Sequence, residues 1–312
     1  MTNISAIQRN ITQVAGISSL EIMRLTLLGI TLTSFILFSY VMAVMLSVCF
    51  TSTVARQEVR YILFTHMLVT DLVYLLLSLF LFLAFFYPTK YPAPFCYIMV
   101  FVTSTSLKIT PYNLAIMSLE RYVAICFPLR HREICTLHRM GIAIAIIWVI
   151  ALLPNVADFF VLILSVQKTF FSQNVVLICS RSSFIVTSVQ NTIRLASHAS
   201  TFSLVGLIII FTYIKIMLVA FKVDSGKSSA SKAGRTVMLH AIQLLLCMMA
   251  FSYSIFEIIL KDYISLLPII NFCFFMCLPR FISPFIYGIR DKLFRKQIQK
   301  FIFCGFQKCS SK

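Results

Sequence analysis

Charge is what this chain has least of. Of its 312 residues, 60% are hydrophobic and only 12% are charged. A soluble domain of that size has too little interior to hide so much apolar side chain. Pro- and Gly-rich linkers are absent, and so is any internal repeat, so the chain reads as one domain. It has no phosphate-binding glycine loop, no His-Glu-x-x-His and no nucleophile elbow, which argues against an enzyme. No cofactor is expected. Cys273 and Cys277 have a metal-ligand spacing, but no His or carboxylate accompanies them in their stretch; they read as packing residues and no metal is expected. The last apolar stretch has no lysine to carry a retinal. Halves of matching hydropathy and Gly-interrupted half-helices, the marks of a transporter, are also missing.

What the chain does have is seven apolar runs, at about 24–50, 59–87, 95–123, 139–164, 192–221, 235–260 and 264–288. About 20 apolar residues make a helix long enough to cross a ~30 Å hydrocarbon core. Spanning strands are not expected, because barrel strands alternate over ~10 residues and these runs are longer. The predicted fold is all-α, a bundle of seven transmembrane helices.

The net charge of +17 raises the possibility of nucleic acid, but its distribution points to a membrane. Eighteen of the 27 Lys and Arg fall in 51–60, 121–139, 215–235 and 290–312, which are alternate loops and the C-terminal segment. The positive-inside rule puts these in the cytoplasm and the N-terminus outside. Residues 1–23 lack the apolar core of a cleavable signal peptide, and the first span is expected to act as a signal anchor. Asn3 and Asn10 open glycosylation sequons in this outer tail. On this topology Cys96 and Cys179 are the cysteines in the oxidising compartment, and a disulfide between them is predicted. Cys49, Cys126, Cys135 and Cys247 read as packing residues. From Asp291 to Cys304 an amphipathic helix is predicted, with Leu293, Phe294, Ile298, Phe301 and Ile302 on one face and Arg295, Lys296 and Lys300 on the other. It would lie on the inner leaflet and attract anionic lipid. Cys304 and Cys309 after it are either palmitoylated or plain thiols. The domain division is thus 1–23, an outer tail; 24–288, the membrane domain; and 289–312, the amphipathic helix and cytoplasmic tail.

The third run ends in Met117 to His131, MSLERYVAICFPLRH. An acid and an arginine at a membrane boundary are costly, which makes them functional candidates by default. Glu120-Arg121-Tyr122 resembles the acid-Arg-Tyr motif of rhodopsin-like G-protein-coupled receptors, and the longer run resembles that of odorant receptors. Lys232-Ala233 with Thr236 and His240 is similar to the start of an odorant-receptor sixth helix. Ser283-Pro284-Phe285-Ile286-Tyr287 is similar to the end of the seventh. Asp71 and Trp148 stand at the expected places in the second and fourth. Leu278-Pro279-Arg280 before Ser283 resembles fish odorant receptors in particular. Departures are Glu120 in place of Asp, no Asn in the first span, Ser283 in place of Asn, and Cys247-Met248-Met249 where many relatives carry Phe-Tyr-Gly.

The resemblance implies a plasma-membrane chemosensory receptor. A small-molecule odorant would bind in the outer half of the bundle and activate a heterotrimeric G protein that raises cyclic AMP. A non-olfactory receptor of the same family is the nearest alternative; a transporter or channel is further off. Glu120 would hold Arg121 in the closed state, and Tyr213 and Tyr287 would receive Arg121 in the open one. The ligand-facing surface would include Thr103, Ser104, Leu107 and Lys108 on the third helix, and Arg194, Ser197 and His198 on the fifth.

Depth singles out two charges. Lys108 lies 12 residues past Cys96 and 13 before Arg121, so ~18 Å and ~20 Å from either boundary, too deep for easy snorkelling. It is either a ligand counter-charge or a lysine satisfied internally. Asp158 and Glu257 are acids that could compete for the cations around it. Arg280, seven residues before Tyr287, is ~10 Å deep and at the level of Asp71. It either pairs with Asp71, taking the place of a sodium ion, or faces a water cavity.

Overall fold

The computed structural model describes residues 2–53, 57–87, 89–166 and 175–222, with 238, 241, 242, 245, 271–278 and 280–282; the side chains of 2–20, 24, 220–222, 271, 274 and 275 are not described. The side chains of Asn3 and Asn10, the amphipathic helix with Cys304 and Cys309, and Cys247, Glu257, Ser283 and Tyr287 therefore lie outside the described residues. So do most of the sixth and seventh runs.

Five described helices are long and apolar enough to cross a membrane. They are α1 (Thr2–Thr51, of which Glu21–Thr51 is the span), α2 (Val59–Phe86), α3 (Ala93–Cys126), α4 (Leu137–Ser165) and α5 (Ser188–Lys222). A π-helical stretch, Asn271–Cys277, lies in the seventh run. Local chemistry explains several ends. Tyr87 closes α2 in extended backbone, the conformation favoured by a residue that precedes proline, here Pro88. Pro94 sits in the first turn of α3, where a missing N–H costs nothing. Thr136 caps α4 by accepting from the backbone N–H of Arg139 at 3.3 Å.

α3 is the axis of the described bundle: 61% of its most apolar window is buried, against 22–44% for the other four spans. Leu63, Phe64, Met67 and Leu68 of α2 pack with Met42 and Met45 of α1, Leu114 and Met117 of α3, and Phe272 and Phe281. Ala115 of α3 meets Phe202, Val205 and Ile209 of α5. The opposite faces carry bare hydrocarbon, such as Ile36 and Leu37 on α1 and Val149 and Leu153 on α4. In water that would be an aggregation surface; facing lipid tails it is the expected exterior.

One element was not anticipated. Lys90–Pro92 (β1) and Val176–Ile178 (β2) form a two-stranded antiparallel ribbon between the loops that precede α3 and α5, with Tyr91 opposite Leu177. The ribbon follows from the disulfide. Cys96 and Cys179 are joined with their Cα atoms 5.2 Å apart, which draws the segment before Cys179 alongside the segment before Cys96. Pro92 lacks a donor and tolerates only such an edge. Cys49, Cys135 and Cys277 are buried free thiols, while Cys126 and Cys273 are partly buried.

Candidate functional site

α3 carries polar groups at three depths. In the half of α3 on the Cys96 side Lys108 is 2% exposed, and its Nζ donates to Asn155 Oδ1 on α4 at 3.3 Å. The amide of Asn155 donates in turn to Thr105 Oγ1 at 2.8 Å. Arg194 on α5 pairs with Asp158 on α4 at 3.4 Å. Asp158 Oδ1, the other oxygen of that carboxylate, is buried without a hydrogen-bond partner among the described residues. Arg181 joins the group from above. It opens the short 3-10 turn Arg181–Phe184, two residues after the disulfide, and lies within electrostatic reach of Lys108, Arg194 and His198. Burial, and then the Arg194 charge, pull its guanidinium down to about 10, which leaves it charged at neutral pH.

Of the residues expected to face a ligand, Lys108, Arg194 and His198 share this electrostatic cluster. Thr103 donates its hydroxyl to Met99 O, and Ser197 donates to Arg194 O, both on their own helices. Ser104 is buried. Leu107 packs toward the α1–α2 core instead. Sequence reasoning passed over Arg181, Asn155 and Thr105. Arg181 had a signal: a loop residue two positions from a tethered cysteine must hang over the mouth of the bundle. Above the cluster, an apolar cavity of about 360 Å³ opens between α3 and α4, with Tyr97, Phe101 and Phe159 in its wall. Tyr97 also packs edge-on to Phe184 at 5.3 Å.

At mid-depth Arg280 Nε lies 3.5 Å from Asp71 Oδ1, and both side chains are fully buried. Thr110 of α3 donates to the same oxygen at 2.7 Å. Beside this pair, Trp148 Nε1 donates to His66 Nε2 at 3.0 Å, and His66 Nδ1 stands 3.0 Å from Asn113 Oδ1. An indole N–H can only donate, so His66 is the neutral Nδ1–H tautomer and donates to Asn113. This chain ties α2, α3 and α4 together.

At the opposite end of α3 Glu120 is 6% exposed and shared. One oxygen lies 3.6 Å from Arg121 Nε, the other 3.2 Å from His131 Nε2. His131 begins the short helix His131–Ile134 in the loop to α4, and sequence reasoning assigned it no role. Tyr122 packs edge-on to Phe211 and to Phe127. Tyr213 is partly buried in the same α3–α5 cluster. Burial, and next the Glu120 charge, raise the Cys135 thiol, which keeps it protonated and suits a packing role.

A family model described as 7 transmembrane receptor (rhodopsin family) matches residues 26–287. Odorant receptor 131-2 of Danio rerio is 35% identical over 220 residues, covering 69% of this chain and 67% of its own length. Olfactory receptor 52A1 of Homo sapiens is 27% identical over 220 residues, covering 67% and 69% respectively.

Proposed function

The chain belongs to the rhodopsin family of 7-transmembrane receptors, and from that premise we propose that it is an odorant receptor. A small molecule bound in the outer half of the helix bundle activates a heterotrimeric G protein, in the cyclic-AMP-raising direction. The full bundle has seven helices with the N-terminus outside and glycosylated at Asn3 and Asn10. The C-terminal amphipathic helix rests on anionic lipid of the inner leaflet.

The observation that carries the reading is the shared carboxylate of Glu120. A buried acid held by both Arg121 and His131 closes the cytoplasmic end. Breaking one side leaves a charge partly desolvated, so the closed state is held but not irreversibly. A partner helix that supplies acceptors to Arg121 replaces what the separation from Glu120 removes. Tyr213 and Tyr287 offer phenol groups to Arg121 in that open state.

Lys108 and Glu120 sit on one continuous helix, 12 residues and ~18 Å apart. A ligand that draws on the outer polar group therefore acts on the same helix that carries the inner lock. The mid-level bond from Thr110 to Asp71 lies between them. Coupling is the bias that both ends place on one two-state element.

The experiment is expression in cells that report cyclic AMP and membrane current separately, challenged with an odorant panel. Cyclic AMP should rise without any conductance in the chain itself. A ligand-gated current that persists when G proteins are inactivated would contradict the proposal.

A further inference from the structure

We propose that the outer pocket is built for a small organic anion, whose acidic group is held between Lys108 and Arg181 against an aromatic wall. This deepens the receptor reading and rests on it. Lys108 is almost wholly buried, yet its amino group, which carries three donors when protonated, makes one hydrogen bond among the described residues, and that to a neutral amide oxygen. Arg181 makes no hydrogen bond or ion pair among the described residues. Arg194 is already engaged by Asp158. Among the described residues the cluster sets three basic side chains, Lys108, Arg181 and Arg194, against one carboxylate, Asp158. Basic groups gathered in such excess repel one another, and a bound anion relieves that repulsion.

The chemistry of the donors narrows the class. A guanidinium offers paired donors that match the two oxygens of a carboxylate, and an ammonium adds a point charge. A metal ion or an amine would be repelled by the same groups. Phe184 ends the turn that Arg181 begins, and Tyr97 packs on Phe184 and on Phe159, each at 5.3 Å. That wall takes a hydrocarbon tail beside the charged head. Such a ligand bridges the disulfide-anchored loop to α3, the helix that carries Glu120.

The test uses the full chain in cells that report cyclic AMP, with surface expression measured alongside. The probes are hexanoate, its methyl ester and hexylamine. Hexanoate should activate at concentrations at least about tenfold below the ester, and hexylamine should be inactive. Arg181→Gln, a change in a loop outside the core, should raise the half-maximal hexanoate concentration by about tenfold, equivalent to ~1.4 kcal/mol. Lys108→Gln should raise it further and leave any ester response unchanged. Equal potency of acid and ester, a preference for the amine, or silence toward hexanoate in a well-expressed chain would overturn the inference. So would unchanged hexanoate potency in Arg181→Gln. Basal cyclic AMP in Glu120→Gln separates this failure from failure of the receptor reading: a raised basal level with no acid response rejects the anion site alone. Thermal stability of the purified chain gives a readout independent of signalling. Hexanoate should raise its melting temperature, the ester should not, and Arg181→Gln should remove the shift; no shift in the wild-type chain would also reject the site.

Discussion

Arg280 meets Asp71 in the middle of the bundle, Nε to Oδ1 at 3.5 Å, with neither side chain exposed. The guanidinium carbon also stands 3.7 Å from the centre of the Tyr74 ring, and Nη1 donates to Met276 O at 3.3 Å. The cation is therefore held on three sides: by a carboxylate, an aromatic face and a backbone carbonyl. We propose that this tethered guanidinium takes the place a sodium ion would hold beside Asp71.

Breaking a buried pair from one side costs ~3–5 kcal/mol, because the remaining charge is left bare. Asp71→Asn and Arg280→Leu should each reduce surface expression or signalling. The double substitution should be less damaged than the sum of the two, since no charge is then unpaired. Agonist potency should be insensitive to replacing sodium with a bulky organic cation. Strict additivity, measured as melting temperature of the purified variants, would argue that the two groups do not act as a pair.

Cys96 and Cys179 fasten the outer loop to the head of α3, and with it the ribbon and Arg181. Cys96→Ser and Cys179→Ser should each cut surface expression severely, and the double variant should be no worse than either single one. Loss of a native disulfide costs ~2–5 kcal/mol in small secreted domains, and that scale applies here to the outer loop. Mass spectrometry of unreduced receptor should find the two cysteines in one cross-linked peptide pair; two free thiols would contradict the account.

Glu120 is predicted to hold the closed state through two partners of unequal strength. Glu120→Gln should raise basal cyclic AMP, because it weakens both contacts. His131→Phe should raise it less, since Arg121 remains paired. Comparing basal signal per receptor at the surface decides the order. Equal basal levels in all three chains would remove Glu120 from the switch.

His66 is predicted to act through structure. His66→Phe leaves the Trp148 N–H and the buried Asn113 side chain without their partner, and a buried orphan such as Asn113 costs ~1–3 kcal/mol. The melting temperature should fall while ligand selectivity is kept. A selective loss of some ligands at unchanged stability would instead place His66 in the pocket.

Much of this could be read before the structure. Helix spans follow from apolar length, and the described ones begin and end within a few residues of the expected places. The deep positions of Lys108 and Arg280 follow from counting residues along a helix. Rotation about the helix axis does not follow from counting. Thr103 and Thr105 are equally deep, yet the bond between Thr105 and Asn155 depends on how α3 and α4 are turned toward each other. His131 lies in a loop, where neither period nor depth applies, and only its contact with Glu120 reveals a role. Arg181 is intermediate: its place follows once the disulfide is accepted, because the tether fixes where the loop must hang.

The central claim is that ligand binding outside is turned into G-protein activation by releasing Arg121 from Glu120. The most direct measurement is agonist-stimulated cyclic AMP in Arg121→Ala against the unmodified chain at matched surface expression, with odorant binding followed in the same membranes. The account predicts that binding persists while the cyclic AMP response disappears. A full cyclic AMP response from a well-expressed Arg121→Ala receptor would contradict it.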